Sequence, residues 1–424
     1  MNYFAQIWNS KDLRQKIIFT LLLLACYRLL SHIPVPLENI DFSSLKQISG
    51  GALGIFSALT GGSVENFSLV MMGLSPYINA SVIIQLMTVI FPKLEALQKE
   101  GEQGRRKINL YTRWLTLPLA LLQSYGMIFL IARGVPGAQV IDPYAWATVL
   151  PAMVIITAGS FLIMWLGELI SEKGIGNGIS LIIATGIISS IPSIFGNIAA
   201  GIDAGDSAKV PSFGLLIVLT FLILIAVVLV TEGHRKIPIT YASRNAQRSM
   251  SELPIRILQA GMIPIIFAIS LVSFPGILAQ FVQNQGPVMS FLNQHFNSSN
   301  PTSLYLLVYS LLIIFFSYFY VSITFNADNV AEDIQKRGGF IPGHRPGSET
   351  ANYIRRVSTR LNLWGGICLA LIAIFPILFT MFSDLSRSDL ILSGSGMVIV
   401  VGVVLDLIRR INSELVMHDY QKLV

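Results

Sequence analysis

Ile78 and Val82 stand one helical turn apart, and Ile179 and Ile183 repeat that spacing farther along the chain. Pairs at this spacing put two branched aliphatic side chains on one helix face. Helix breakers lie beside each pair: Pro76 next to the first, and Gly174-Ile175-Gly176-Asn177-Gly178 before the second. By default such pairs are ordinary core packing, and the only other work open to them is to repel water and ions. More reactive groupings do not occur. His32, His234, His295, His344 and His418 all fall at the ends of apolar runs or between them. No His, Asp or Glu sits mid-run with a facing partner, which argues against an intramembrane protease or a proton relay. There is no GxxxxGK[ST] phosphate cradle. The Gly174–Gly178 run follows no strand and reads as a flexible turn rather than a nucleotide loop. Glu168 and Asp406 lie near run ends, where snorkelling or capping explains them. Cys26 and Cys368 sit in apolar runs and imply neither a disulfide framework nor a metal site. The expectation is a protein without cofactor, metal or catalytic centre.

The stretch from Ser49 to Phe91 must position the first pair. Its opening piece, Ala52 to Leu59, is bracketed by Gly50-Gly51 and Gly61-Gly62. Eight helical residues rise only about 12 Å, less than half of a bilayer's hydrocarbon core, so this piece cannot span. The next run, Leu69 to Phe91, is long enough but carries Pro76, Asn79, Ser81 and Gln85. A broken helix with polar positions is tolerated at membrane depth only inside protein or beside a water-filled cavity. The stretch therefore points to a path through a membrane.

The rest of the chain supplies the walls. Only 12% of the residues are charged and 53% are hydrophobic, the balance of a polytopic membrane protein. Apolar runs recur at 17–34, 69–91, 112–133, 147–170, 178–200, 212–231, 256–279, 303–325, 360–381 and 391–409, giving ten spans. The first is too long for a signal peptide's apolar region, contains Arg28 and ends without a small-residue cleavage site, so it is a retained span. With both termini cytoplasmic, about 24 of the 29 basic residues fall inside. Lys46, Arg133, Lys209 and Arg387 are the outside set. The net charge of +6 is thus an orientation signal rather than a general nucleic-acid surface.

Ten spans divide into 1–201 and 202–424, five in each. Five is odd, so repeats of five must be inverted relative to each other. Two inside loops stand out. Residues 232–256 alternate basic, β-branched and aromatic residues, the pattern of a projecting hairpin. Residues 326–356 contain GGFIPGHRPGSE, whose prolines and glycines enforce a tight turn around Arg345.

The chain resembles the SecY family, the channel subunits of bacterial protein translocase. SPYINASVIIQLMTVIFP (75–92), EGEQGRRKINLYTRW (100–114), EKGIGNGISLII (172–183), QAGMIPIIF (259–267), GGFIPGHRPGSET (338–350) and ELVMHDY (414–420) carry the resemblance, in that order. It implies an all-α fold with ten transmembrane helices in two inverted five-helix halves around an hourglass pore. The pore ring would be Ile78, Val82, Ile179, Ile183, Ile266 and Ile399. Ile55, Phe56 and Leu59, within a plug at about 50–63, would rest against that ring. The second and seventh spans would part as a side gate near Asn79, Gln85 and Gln259. Arg235 and Arg345 would dock a ribosome, through its RNA, or the SecA ATPase. Small subunits resembling SecE and SecG, signal sequences, unfolded secretory chains and the surrounding lipid complete the implied partners. The implied place is the bacterial plasma (inner) membrane. Leu258-Gln259 and Met71-Met72 depart from the family pattern. A rival reading, a secondary transporter with five-plus-five inverted repeats, needs convergent polar ligands at mid-membrane, which these spans mostly lack. A second rival, a non-transporting scaffold, would have no use for a ring or plug.

Overall fold

The computed structural model describes residues 10–36, 63–64, 66–134, 145–203, 209–241, 250–281, 286–296, 302–382 and 394–421. Its first elements are α1 (Lys11–Leu30), α2 (Ser75–Ile90), α3 (Pro92–Lys99), α4 (Glu102–Gly134), α5 (Trp146–Lys173), α6 (Gly178–Asp203) and α7 (Lys209–Glu232). The strands β1 (His234–Tyr241) and β2 (Met250–Arg256) follow. After them come α8 (Ile263–Phe281), α9 (Pro287–His295), α10 (Ser303–Thr324), α11 (Ala327–Lys336), β3 (Gly339–Phe340), α12 (Ser348–Phe382) and α13 (Gly394–Gln421). Among the described residues, ten of these helices coincide in order with the ten apolar runs, so the all-α ten-span architecture holds. Among the described residues, the helices beginning at Trp146, Ser303 and Ser348 are each long and apolar enough by themselves to cross a membrane, with a mean hydropathy of 2.2 over their most apolar 18 residues. Pro118, Pro151, Pro192, Pro275 and Pro376 all lie inside helices. Neighbouring helices make such prolines tolerable in a membrane, where they re-satisfy the freed backbone groups.

The second span differs from its expected limits. Helix α2 starts at Ser75, not Leu69, and α3 departs from it at 107°. Pro76 explains the start, because a proline in the first helical turn removes an N–H that has no partner there anyway. The preceding residues form turns in which Phe67 and Gly73 take φ values of 42° and 54°. These turns are buried, with Phe67 and Met71 wholly enclosed. The Val35 N–H donates to the Phe67 carbonyl at 2.9 Å and the Leu69 N–H to the Ile33 carbonyl at 3.0 Å. The exit of α1 is thereby stitched to the entry of α2, and irregular backbone at this depth stays inside protein. Gly159 of α5 makes the fit possible, since a Cβ there would run into the Leu69 carbonyl.

Helix α1 packs on α5 and α6, α2 on α4 and α8, and α13 on α6, α7 and α12. In the last five spans α10 packs on both α8 and α12. One polar stitch joins that pair: Ser317 Oγ donates to Asn362 Oδ1 at 3.0 Å, and Asn362 Nδ2 donates to the Ser317 carbonyl at 2.8 Å. Both residues are buried. Asn362→Ala strands two buried groups and is expected to cost about 1–3 kcal/mol. Thermal unfolding of the detergent-solubilised protein measures this, and an unchanged midpoint would refute it.

Outside the helical bundle, the two unusual loops merge into one unit. The expected hairpin forms, with β1 antiparallel to β2 from His234↔Arg256 to Thr240↔Met250. Strand β3 then adds to the other edge of β1, giving the order β2-β1-β3. Ile237, Ile239, Ile255, Ala327, Ala331, Ile334, Ile341, Ile354 and Val357 make a separate small core beneath the sheet. Asn326 caps α11, its side chain accepting from the Asp328 and Asn329 N–H groups. An ion pair of 2.6 Å from Arg355 to Asp328 ties α11 to α12.

Candidate functional site

The six aliphatic residues lie on α2, α6, α8 and α13, so helices from both ends of the chain must converge for them to meet. They do converge, through three adjoining apolar clusters. Ile183, Ile266 and Ile399 pack in one of them, with Ala184, Ile187, Met262 and Val403. Ile78, Ile179 and Ile183 pack against a second, built on Val70, Leu74, Ile163, Ile170 and Ile182. Val82 belongs to a third, against which Ile78 also packs. Ile78 links the second cluster to the third, and Ile183, with Leu181, links the first to the second, so the clusters holding the six residues form one connected apolar body. Ile399 is only 1% exposed and Val82 5%, while Ile78, Ile179, Ile183 and Ile266 are half-buried. Met262, Ile187 and Val403 were not singled out by sequence. Ile187 and Val403 each stand one turn beyond a ring residue, a signal that periodicity could have supplied.

The seam between α2 and α8 is apolar. These two helices pack directly on one another, with Val82, Ile78 and Leu86 of α2 in the cluster that holds Ile263, Ile265, Phe267 and Ile269 of α8. The amides expected along this seam make their recorded bonds elsewhere. Gln85 Nε2 donates to Ser81 Oγ on its own helix at 3.1 Å. Gln259 Oε1 accepts from Ser358 Oγ of α12 at 2.9 Å, and its Nε2 is buried without a partner among the described residues. Asn79 is half-buried on α2. Among the described residues, apolar side chains make the contacts between α2 and α8.

Two ionisable residues acquire partners that the sequence did not reveal. Glu168 does not merely snorkel: Arg113 of α4 grips it bidentately, Nε to Oε1 at 3.0 Å and Nη2 to Oε2 at 2.6 Å. The paired geometry neutralises both charges between α4 and α5. Asp406 pairs with Arg409, which also reaches Glu232 at 2.6 Å and joins α13 to the foot of the hairpin.

In the loop unit Arg235 and Arg345 are both exposed. The Arg345 N–H donates to Glu349 Oε2 at 3.3 Å and its carbonyl accepts from Thr350 Oγ1 at 2.8 Å. Gly343 and Gly347 flank it at φ 86° and 101°, a region that side chains rarely adopt. The backbone is thus held on both sides while the guanidinium faces outward. His344 lies over Tyr353 with ring centroids 4.2 Å apart. On nearby α11, the hydrogen bond and charge of Lys336 hold the exposed Glu332 carboxyl below its ordinary range. Ile55, Phe56 and Leu59 lie outside the described residues. Among the described residues no group of His, Cys, Asp and Glu could hold a metal ion.

Comparison with known proteins gives one answer. The family model for SecY matches residues 68–408. Protein translocase subunit SecY of Streptomyces galbus is 37% identical over 437 residues, covering 99% of this chain and 98% of that protein. The subunit of the same name from Mycobacterium tuberculosis is 37% identical over 446 residues, with 99% of both chains covered. Among solved structures, a protein-conducting channel aligns with TM-score 0.68 at 16% identity, over 94% of this chain and 92% of that one. Sec61 from a canine ribosome-channel complex of the endoplasmic reticulum aligns with TM-score 0.64 at 16% identity, with the same coverage. At such identities these two structures speak for the fold, and the full-length relatives speak for the family. The transporter reading gains no support from either. A ten-span apolar bundle, its aliphatic residues gathered where distant helices meet, and full-length likeness to translocase subunits identify the chain as a member of the SecY family of protein-translocating channels.

Proposed function

We propose that the channel rests sealed by a ring of Ile78, Val82, Ile179, Ile183, Ile266 and Ile399, between two inverted halves spanning 1–201 and 202–424. The observation that carries this reading is the joining of α2, α6, α8 and α13 through a connected apolar body at those six residues. Branched aliphatic side chains offer no hydrogen bonds, so water and ions find the constriction unfavourable and leak is suppressed by dewetting. An extended polypeptide meets no group there that would hold it. The segment at about 50–63, with Ile55, Phe56 and Leu59, serves as the plug.

The seam between α2 and α8 serves as the side gate. An apolar stretch of about 20 residues prefers lipid, whereas a polar stretch stays in the aqueous path. Because the seam is apolar, an incoming signal sequence can replace its contacts in kind. Gln259, with an unpaired buried Nε2, and Gln85 mark the two sides where that exchange begins. A photo-crosslinking amino acid at Gln85 or at Gln259 should capture the signal sequence of an arrested secretory chain. Failure at both positions, with capture elsewhere on the channel, would remove the gate from this seam.

Arg235 and Arg345 dock the source of energy, since the chain itself carries no nucleotide motif. The partners are a SecA-type ATPase and the ribosome, whose RNA phosphates suit outward-facing guanidinium groups and make binding salt-sensitive. The yeast Ssh1 complex, alike in fold with TM-score 0.59 at 14% identity, is bound to the 80S ribosome, which supports the ribosome as one such partner. SecE-like and SecG-like subunits cover lipid-level surface of the bundle. Both termini lie in the cytoplasm in this reading, which the strong bias of basic residues supports, and the bacterial SecY relatives support a channel of the inner membrane.

A further inference from the structure

The Gly174–Gly178 run, which reads as a flexible turn, is held at several points in the structure. The Thr20 hydroxyl of α1 accepts from the Ile175 N–H at 3.1 Å and donates to the Lys16 carbonyl at 2.8 Å. The Ser171 hydroxyl of α5 accepts from the Gly178 N–H at 2.8 Å and donates to the Gly167 carbonyl at 2.9 Å. Each hydroxyl thus takes a turn N–H and returns its proton to its own helix, leaving no loose end. Thr20 is buried and Ile175 is 2% exposed, so their bond is out of reach of competing water.

The turn also fits where little else would. A Cβ at Gly178 would run into the Gly167 carbonyl, and one at Gly174 would lie 2.5 Å from Thr20 Oγ1. Gly176 takes φ 91° and faces Leu181 and Leu407 of α13. Lys16, whose carbonyl receives the Thr20 hydroxyl, pairs through Nζ with Glu414 of α13 at 2.9 Å. Helices α1, α5, α6 and α13 therefore meet at this turn. Ile179 follows it directly, with Ile183 one turn on.

We propose that Thr20 and Ser171 are positioning residues for the pore: by fixing the turn they set where α6 begins, and so where Ile179 and Ile183 face the constriction. This rests on the ring reading above. If α6 slipped by one residue in register against its neighbours, its side chains would turn by about 100°, which would carry both isoleucines off the pore axis.

The test is resting ion conductance per channel of the reconstituted translocase complex in planar bilayers. Loss of one buried hydrogen bond shifts an equilibrium by roughly tenfold. Thr20→Val, which keeps the shape and loses the hydroxyl, should raise the leak by about that factor. Ser171→Ala should act in the same direction, and Thr20→Ser should restore the seal. A residue that only stabilised the fold would lower the melting temperature without changing the leak of channels that remain folded. Ile183→Ser serves as reference. If it leaks while Thr20→Val and Ser171→Ala stay tight, the positioning role is overturned and the ring stands. If Ile183→Ser stays tight, the ring reading fails and this proposal falls with it. Should Thr20→Val not accumulate, Ser171→Ala decides alone.

Discussion

Replacing Ile78, Val82 and Ile266 together with serine is expected to raise the resting conductance of the channel by roughly tenfold or more, because hydroxyl groups let water wet a constriction that dewetting had closed. The three residues come from α2 and α8, the two helices on either side of the seam, so the substitution opens the ring where the halves meet. Val82 is nearly buried, and emptying a packed site costs stability as well as the seal. A second set separates these effects. Methionine at the same three positions conserves volume and apolar character, which cores tolerate well, and should leave the leak unchanged. Serine variants that fold, insert and still do not leak would take these residues out of the seal.

Arg345→Glu should reduce motor-driven export by roughly a hundredfold, the scale of losing and opposing one charge pair at a docking surface. Folding should be unaffected, because among the described residues the bonds of Arg345 are made by its backbone, the N–H with Glu349 and the carbonyl with Thr350. The new carboxylate points outward from a turn whose shape is set by Gly343 and Gly347. Arg345→Lys should retain part of the activity, because it keeps the charge but loses the planar fork that grips a carboxylate or phosphate. Export by reconstituted vesicles, with thermal unfolding measured in parallel, decides the matter. Undiminished export by the glutamate variant would place docking elsewhere on the loop unit, with Arg235 as the remaining candidate.

The two effects differ in kind. The proposed ring would act through what its side chains lack, so removing apolar surface should be enough to disable it. The proposed docking turn would act through one charge held at the end of a stiff backbone, so a change of sign should harm it more than a change of volume.

Much of this was legible in the residues themselves. Ten apolar runs gave ten helices, because in a membrane a backbone must satisfy its own hydrogen bonds and hydropathy over some twenty residues decides which stretches do so. The hairpin at 232–256 was legible too, since alternation along a strand is a local pattern. The aliphatic pair at Ile78 and Val82 could be placed on one helix face, but nothing local distinguished it from any other packed pair.

What the residues could not show were the meetings between distant segments. Leu69 belongs to an apolar run, yet it lies in a buried turn bonded to Ile33, and the helix waits until Ser75. Gly339 and Phe340 form a strand only because β1 stands beside them. Glu168 read as a residue at a span end until Arg113 arrived from another helix. The Gly174–Gly178 run looked flexible because the hydroxyls that restrain it come from Thr20 and Ser171. Which stretches cross the membrane is set by each segment's own transfer from water to lipid, and in which direction by the basic residues of the loops beside it, both of them properties the sequence carries. Which helix lies against which is set by the packing of side chains far apart along the chain, and only the tertiary structure decides that.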